Sequence, residues 1–437
     1  MKNKITIALL FLSVTGFSQK LNTVKLDSLF DILEAKDKYM GSIAIVENGV
    51  PLYIRAIGKD DVESGKKSTI ISKYRVGSIS KMFTATLVFK AIEEGKLDIG
   101  QTIFSFFPDI ENAKSITISN LLNHRSGIHN LTNDDEYMLY FDKPKTEAGL
   151  VQIIAKGKSD FAPDSKAAYS NSNYILLSFI LQKVYKKPYK TLVEERIIKP
   201  IGLKNTYVGG KTDLKKNENF SYIFTSKWEK QPETDMSVPM GAGAIVSNPT
   251  DLTTFIKALF DGKLINEKSL ATMATIRDGY GSGIFETPFF DKKGLGHTGS
   301  IDGFSSVLTY FRDDKLAVAL SSNGNIYQNN NIMIAALSAY YGKSFAIPTF
   351  NTLALSSADL DQYLGVYSCP QLPFKLTVTK DNITLVIEPD GQSATPMEAT
   401  AKDIFEYRQY GIKLIFKPQE KQLLLQQSGQ EFVFSRK

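Results

Sequence analysis

Apolar residues in Leu26–Tyr39 fall at helical spacing, with Leu29, Phe30, Ile32 and Leu33 on one stripe, and this predicts an amphipathic opening helix. Two β-like runs follow, Ser42–Glu47 and Val50–Ala56, separated by Asn48-Gly49, a dipeptide that favours a tight hairpin turn. From Met82 to Glu94 apolar side chains recur at 82, 83, 85, 87, 88, 91 and 92 before Gly95, so a helix starts at or near Ser78 and stops at the glycine. The stretch from about Ile116 to Leu270 reads as a mostly helical insertion, with helices at Tyr174–Tyr185 and Thr250–Phe260. Strands return at Ser305–Phe311 and Leu316–Ser321 around a polar Arg312–Lys315 turn, and Ile332–Tyr341 is again helical.

Strands at both ends of a helical middle imply an α+β domain whose sheet is assembled from distant parts of the chain. After Pro348 the period changes. Lys375–Thr379, Asn382–Glu388, Ile404–Tyr407, Ile412–Phe416 and Glu431–Phe434 alternate or read as strands between turn signals, predicting a small all-β domain over 355–437.

The extreme N-terminus reads as an address. Lys2 and Lys4 precede the uncharged apolar run Ile5–Phe17, with small residues Gly16 and Ser18 just before Gln19, so residues 1–18 are expected to be a cleaved signal peptide. The run is shorter than the roughly 20 apolar residues a membrane span requires, which implies an exported, periplasmic or secreted protein with no stable membrane anchor. Composition narrows the chemistry further. There are 52 Lys+Arg against 46 Asp+Glu on 437 residues, a mild excess without charge blocks, so nucleic acid is not the favoured partner. One cysteine, Cys369, excludes an internal disulfide, and three histidines make a His/Cys zinc site improbable.

Three short motifs could carry chemistry. In Gly77-Ser78-Ile79-Ser80-Lys81 the three-residue offset places Ser78 and Lys81 on one helical face, so a lysine amine of lowered pKa could activate the hydroxyl. Taken alone, the same residues also describe an N-cap serine beside a solvated lysine. Tyr169-Ser170-Asn171 offers a phenol and an amide near a helix start, or simply a capping turn. Gly296-His297-Thr298-Gly299-Ser300 offers close backbone approach and side-chain donors suited to a carboxylate, or simply a glycine-rich turn. No Gly-x-Ser-x-Gly occurs. Gly209-Gly210-Lys211-Thr212 lacks the first glycine of a phosphate loop, and His124 and His129 are spaced five apart rather than the four of helical zinc pairs, so His124 reads as a structural hydrogen-bonding residue.

As an ordered set, with gaps of 91 and 128 residues, the three motifs resemble those of the penicillin-recognising serine hydrolases: class C β-lactamases, D-Ala-D-Ala carboxypeptidases and related esterases and D-aminopeptidases. Ile118–Gly127 and Gly241-Ala242-Gly243, leading through Val246-Ser247 to Asp251-Leu252, are similar to supporting stretches of the same family. The resemblance implies a β-lactamase/DD-peptidase-like antiparallel sheet with a helical subdomain over 24–346. It implies Ser78 as acylated nucleophile, Lys81 as base, Tyr169 as proton shuttle and Asn171 holding the substrate. His297 and Thr298 would face a substrate carboxylate within the Thr298-Gly299-Ser300 strand, and the N–H groups of Ser78 and Ser300 would form the oxyanion hole. It implies no metal and no organic cofactor. The chain departs from class C β-lactamases, which usually carry lysine at the position of His297; a histidine attracts a carboxylate only when protonated. The expected activity is therefore cleavage of an amide or ester of a small molecule or peptide, peptidoglycan-derived peptides included, with a D-amino-acid peptide or small ester as substrate. A weak β-lactamase and a non-catalytic cell-wall-binding protein are the alternatives.

Overall fold

The computed structural model describes residues 21–437 except 226, 351–352, 393, 408–409 and 428; the expected signal peptide lies outside the described residues. Helix α1 (Thr23–Ala35) buries Leu26, Leu29, Phe30 and Leu33, the predicted stripe, and ends before Tyr39, which already belongs to strand β1 (Tyr39–Glu47). Strand β2 (Val50–Ile57) returns antiparallel after a turn in which Asn48 and Gly49 both have positive φ, 48° and 84°. That backbone is what an Asn-Gly hairpin requires.

Four strands from the far side of the chain complete the sheet: β3 (Phe285–Phe289), β4 (Lys292–Ile301), β5 (Phe304–Phe311) and β6 (Leu316–Asn325), in the order β3-β4-β5-β6-β1-β2. The sheet is covered on both faces, and strand periodicity sorts its side chains. Ile43, Ile45, Val318 and Leu320 pack with α1 and α5 (Asn329–Tyr340). Ala44, Val46, Ala317 and Ala319 pack on the other face with α2 (Ser80–Glu93), α3 (Asn171–Tyr185) and α4 (Pro249–Phe260). Small residues on this second face let α4 lie close to the strands.

Helix α2 is buried on nearly every side, including Ser80, Lys81, Thr84 and Thr86, so it is a core helix rather than a surface one. Phe83 stacks on Phe255 of α4 with ring centroids 3.8 Å apart. Gly95, at φ +67°, ends the helix as its position predicts. The middle of the chain departs from a purely helical insertion. Ile245–Ser247 pairs with both Tyr74–Arg75 and Tyr207–Val208, so a short three-stranded ribbon reaches the segment just before Ser78.

Residues Gly365–Arg436 form a closed eight-stranded antiparallel barrel in which the first strand, Gly365–Ser368, pairs with the last, Gln430–Arg436. Leu376, Val378, Leu385, Phe405, Leu414, Leu423 and Phe434 fill it. Two details correct the sequence reading: the predicted strand from Asn382 begins only at Thr384, because Asn382 turns at φ +53°, and the strands Gly365–Ser368, Thr395–Ala401 and Gln422–Gln427 were not expected.

Candidate active site

Ser78 lies in a single 3-10 turn, Gly77–Ile79, that feeds directly into α2. The ribbon holds this turn from behind: the Val76 N–H donates to the Ile245 carbonyl at 3.0 Å, and the Ile245 N–H donates to Ser80 Oγ at 3.0 Å. From the front, β4 presses against it. A Cβ built on Gly299 would fall 1.9 Å from the Val76 carbonyl oxygen, and one on Gly77, whose φ is +52°, would fall 2.7 Å from the Ser300 nitrogen. Only glycine at both positions allows the two backbones to meet, and their meeting brings the Ser78 and Ser300 peptide groups side by side.

Ser78 Oγ has two polar neighbours. Tyr169 Oη donates to it at 2.7 Å, and Lys81 Nζ, one helical turn on, lies 3.0 Å away. Lys81 is fully buried, and its nitrogen also donates to Asn171 Oδ1 at 2.7 Å and to the Ala242 carbonyl at 2.9 Å. Burial drives its pKa well below that of an ordinary lysine. Tyr169 is affected in the opposite sense: burial raises its pKa, outweighing the hydrogen bond to Ser78, so it stays a phenol. Asn171 opens α3, and its Nδ2 donates to Thr132 Oγ1 at 3.2 Å, which fixes the amide with its oxygen toward Lys81.

The structure therefore brings Ser78, Lys81, Tyr169 and Asn171 together, and lays Gly299 and Ser300 along the same turn. His297 is placed differently from expectation. Its ring lies 6.4 Å from that of Tyr169 and 4.1 Å from that of Phe285, and the side chain is buried. Nδ1 is bonded to the Thr298 carbonyl, which can only accept, so Nδ1 carries the proton and Nε2 is the bare nitrogen. Burial, reinforced by Lys81, lowers its pKa to about 3. The His297 ring is thus buried and held neutral, while Thr298 and Ser300 on the same strand are exposed.

Neighbours outside the three motifs complete the site. The Ala242 carbonyl, within the Gly241-Ala242-Gly243 stretch, and Thr132, which carried no sequence signal, orient Lys81 and Asn171. His124, at φ +56°, accepts the Ser170 N–H on Nδ1 at 3.2 Å and packs its ring 4.4 Å from Tyr169. Tyr280 and Phe285 complete the aromatic surround of Tyr169. Helical spacing could have found Tyr174, three residues after Asn171, whose ring lies 5.6 Å from Lys81 Nζ. Over Ser78 opens a cavity of about 510 Å³ whose walls include Tyr137, Met138, Phe141, Ile175, Pro239 and Ile301.

Comparison with known proteins fits this arrangement. The family model described as Beta-lactamase matches residues 31–339. The teichoic acid D-alanine hydrolase of Staphylococcus aureus (strain NCTC 8325 / PS 47) is 26% identical over 334 residues, covering 72% of this chain and 80% of that protein. The D-amino acid amidase of Ochrobactrum anthropi SV3, solved with L-phenylalanine amide, superposes with a TM-score of 0.64 at 25% identity, over 73% of this chain and 99% of its own. The octameric penicillin-binding protein homologue from Pyrococcus abyssi shares the fold with a TM-score of 0.67 at 23% identity, over 94% of this chain and 100% of its own, a span that takes in barrel residues. With more than half its length matched by one family model and with relatives that are hydrolases, the chain belongs to the Beta-lactamase family of serine hydrolases.

Proposed function

We propose that this protein is an exported hydrolase that cleaves a D-aminoacyl amide or ester through a covalent Ser78 acyl-enzyme. The observation that carries the reading is the environment of the Lys81 nitrogen. A neutral amine has two hydrogens and one lone pair, and Lys81 Nζ meets two pure acceptors, Asn171 Oδ1 and the Ala242 carbonyl, plus the Ser78 hydroxyl. With both hydrogens spent on the acceptors, the lone pair faces the hydroxyl proton. Burial favours that neutral form, and the same burial keeps Tyr169 protonated, which supports Lys81 as base and Tyr169 as proton donor.

In the acylation step the Ser78 proton passes to Lys81 while Oγ bonds to the substrate carbonyl carbon. The carbonyl oxygen becomes an oxyanion facing the N–H groups of Ser78 and Ser300, an interaction worth about 2.7–4 kcal/mol per donor in other enzymes. As the intermediate collapses, Tyr169 donates its proton to the departing amine or alkoxide and is reprotonated from Lys81; water then releases the acid. The second N–H of the Asn171 amide is available to the substrate carbonyl.

The substrate class rests on the relatives named above and on the site. The cavity walls are largely apolar, so the site suits an uncharged leaving group better than a free C-terminal carboxylate. Export rests on the charged-then-apolar N-terminus. The test is hydrolysis of D- and L-phenylalanine amide, D-alanyl esters, a D-Ala-D-Ala peptide and a chromogenic β-lactam by wild type and Ser78→Ala, with mass spectrometry of the acylated serine. Turnover of none of them, or equal turnover by Ser78→Ala, would refute the reading; N-terminal sequencing of the secreted protein checks cleavage after Ser18.

A further inference from the structure

Arg75 and Asp302 lie close in sequence to the two peptide groups that meet at the site. Arg75 is three residues before Ser78, and Asp302 is two residues after Ser300 in the turn joining β4 to β5. Their side chains are 3% and 2% exposed and form a salt bridge, Arg75 Nη1 to Asp302 Oδ2, at 3.1 Å. Thr234 closes a ring between them. Its carbonyl accepts from Arg75 Nη1 at 2.8 Å, while its N–H and its hydroxyl both donate to Asp302 Oδ1, at 3.0 and 2.6 Å. The other arm of the guanidinium donates to Glu233 Oε2 at 2.6 Å and to the Gly210 carbonyl at 3.0 Å.

Burying such a pair is expensive, and apolar side chains of similar volume could fill the space at no greater cost. What they could not supply is direction. Four hydrogen bonds of fixed geometry, one direct and three through Thr234, link the strand before the nucleophile to the turn after β4. Asp302 itself sits at φ +53°, a conformation unfavourable for a residue other than glycine, and the Gly303 N–H is tied to Ser221 Oγ at 3.0 Å. A small shift of either end would slide Ser300 along Gly77, where there is no slack.

We propose that Arg75, Asp302 and Thr234 form a positioning element that sets the separation of the Ser78 and Ser300 N–H groups, and so the strength with which the site holds an oxyanion. The inference rests on the reading of Ser78 as nucleophile. It predicts a defect confined to the charge-developing step. Thr234→Val and Asp302→Asn lower kcat by about 10- to 100-fold with KM little changed, the size expected when reacting groups are displaced by a fraction of an ångström to 1 Å.

A thionoester separates this role from a merely structural one, because sulfur accepts hydrogen bonds poorly. In the wild type the oxygen ester is strongly preferred over its thiono counterpart. In Thr234→Val that preference falls along with kcat, and Thr234→Ser, which keeps the hydroxyl, restores both. The Val/Ser pair carries the test should Asp302→Asn fail to fold. A fall in kcat with the oxygen-to-sulfur preference intact, or no fall at all, would overturn the inference while leaving Ser78 as nucleophile. Failure of the wild type to take up a fluorophosphonate at Ser78 would overturn both.

Discussion

Tyr169 Oη lies 2.7 Å from Ser78 Oγ, although 91 residues separate them in the chain. The contact exists because α3 begins at Asn171, beside the buried start of α2, and because His124 packs against the Tyr169 ring from behind. Removing only the hydroxyl, in Tyr169→Phe, keeps the packing and deletes the donor. A fall in kcat of about 10²–10⁴-fold with an unchanged melting temperature is expected, the usual worth of a positioned acid or base. Steady-state kinetics on an ester and an amide check it, and the amide should suffer more because its leaving group is the poorer one.

Lys81→Met removes the amine while filling the same buried space. Leaving Asn171 Oδ1 and the Ala242 carbonyl without their donor should cost about 1–3 kcal/mol of stability, and fluorophosphonate labelling of Ser78 should slow by about 10²–10⁴-fold. A variant that labels at the wild-type rate would remove Lys81 from the base role.

The pH dependence of kcat/KM should belong to Lys81 and not to His297. A base must be unprotonated, so activity falls as pH drops through the lowered pKa of Lys81. Burial lowers the His297 pKa to about 3 and keeps the ring neutral across the working range, so His297→Asn should leave the midpoint of the pH profile where it was, whatever its effect on the plateau. A displaced midpoint would contradict the buried, neutral placement of the ring.

His129 behaves in the opposite way. Its ring bonds Asp160 at 2.8 Å and Asp134 at 3.1 Å, and these carboxylates raise its pKa. A raised folded-state pKa stabilises the fold fully below the unfolded value of about 6.5, and the contribution disappears as pH rises through the folded value. Urea midpoints of wild type and His129→Gln should therefore differ at pH 5.5 and converge at pH 9. The loop concerned carries Leu131 and Thr132 to the cavity.

Gly299→Ala should damage both the fold and the site. Its methyl group would meet the Val76 carbonyl at 1.9 Å, so backbone must move. Overpacking of this kind costs about 1–3 kcal/mol, and the displaced Ser300 N–H should lower kcat further. Thermal melts and kinetics together measure the two effects.

Much of this was legible in the chain because local signals agreed with the fold. Asn48-Gly49 adopts the backbone its residues favour, the α1 stripe faces the sheet, and Lys81 follows Ser78 at the spacing one helical turn demands. The rest depended on long-range packing. Strand β4 carries glycines at 294, 296 and 299, which lower strand propensity; Gly296 is needed because a Cβ there would fall 1.9 Å from the Leu308 carbonyl, a contact no local pattern announces. Thr395–Ala401 and Gln422–Gln427 lack the β-branched run that marks a strand, and neighbours in a closed barrel supply what propensity does not. Burial of His297 was equally hidden, since residue type alone gives its ordinary pKa and only the surrounding Phe285 and Tyr169 rings reveal the shift.

The order of the main sheet has a consequence for biosynthesis. Strand β1 is flanked by β2, made moments later, and by β6, made almost 300 residues later, so the opening hairpin must wait with one edge unpaired until residue 325 has emerged. Ser300 joins Ser78 only at that same late stage. A nascent or truncated chain would thus carry the Ser78 hydroxyl without the backbone of β4 beside it, and on the reading proposed above hydrolytic competence arrives together with completion of the sheet.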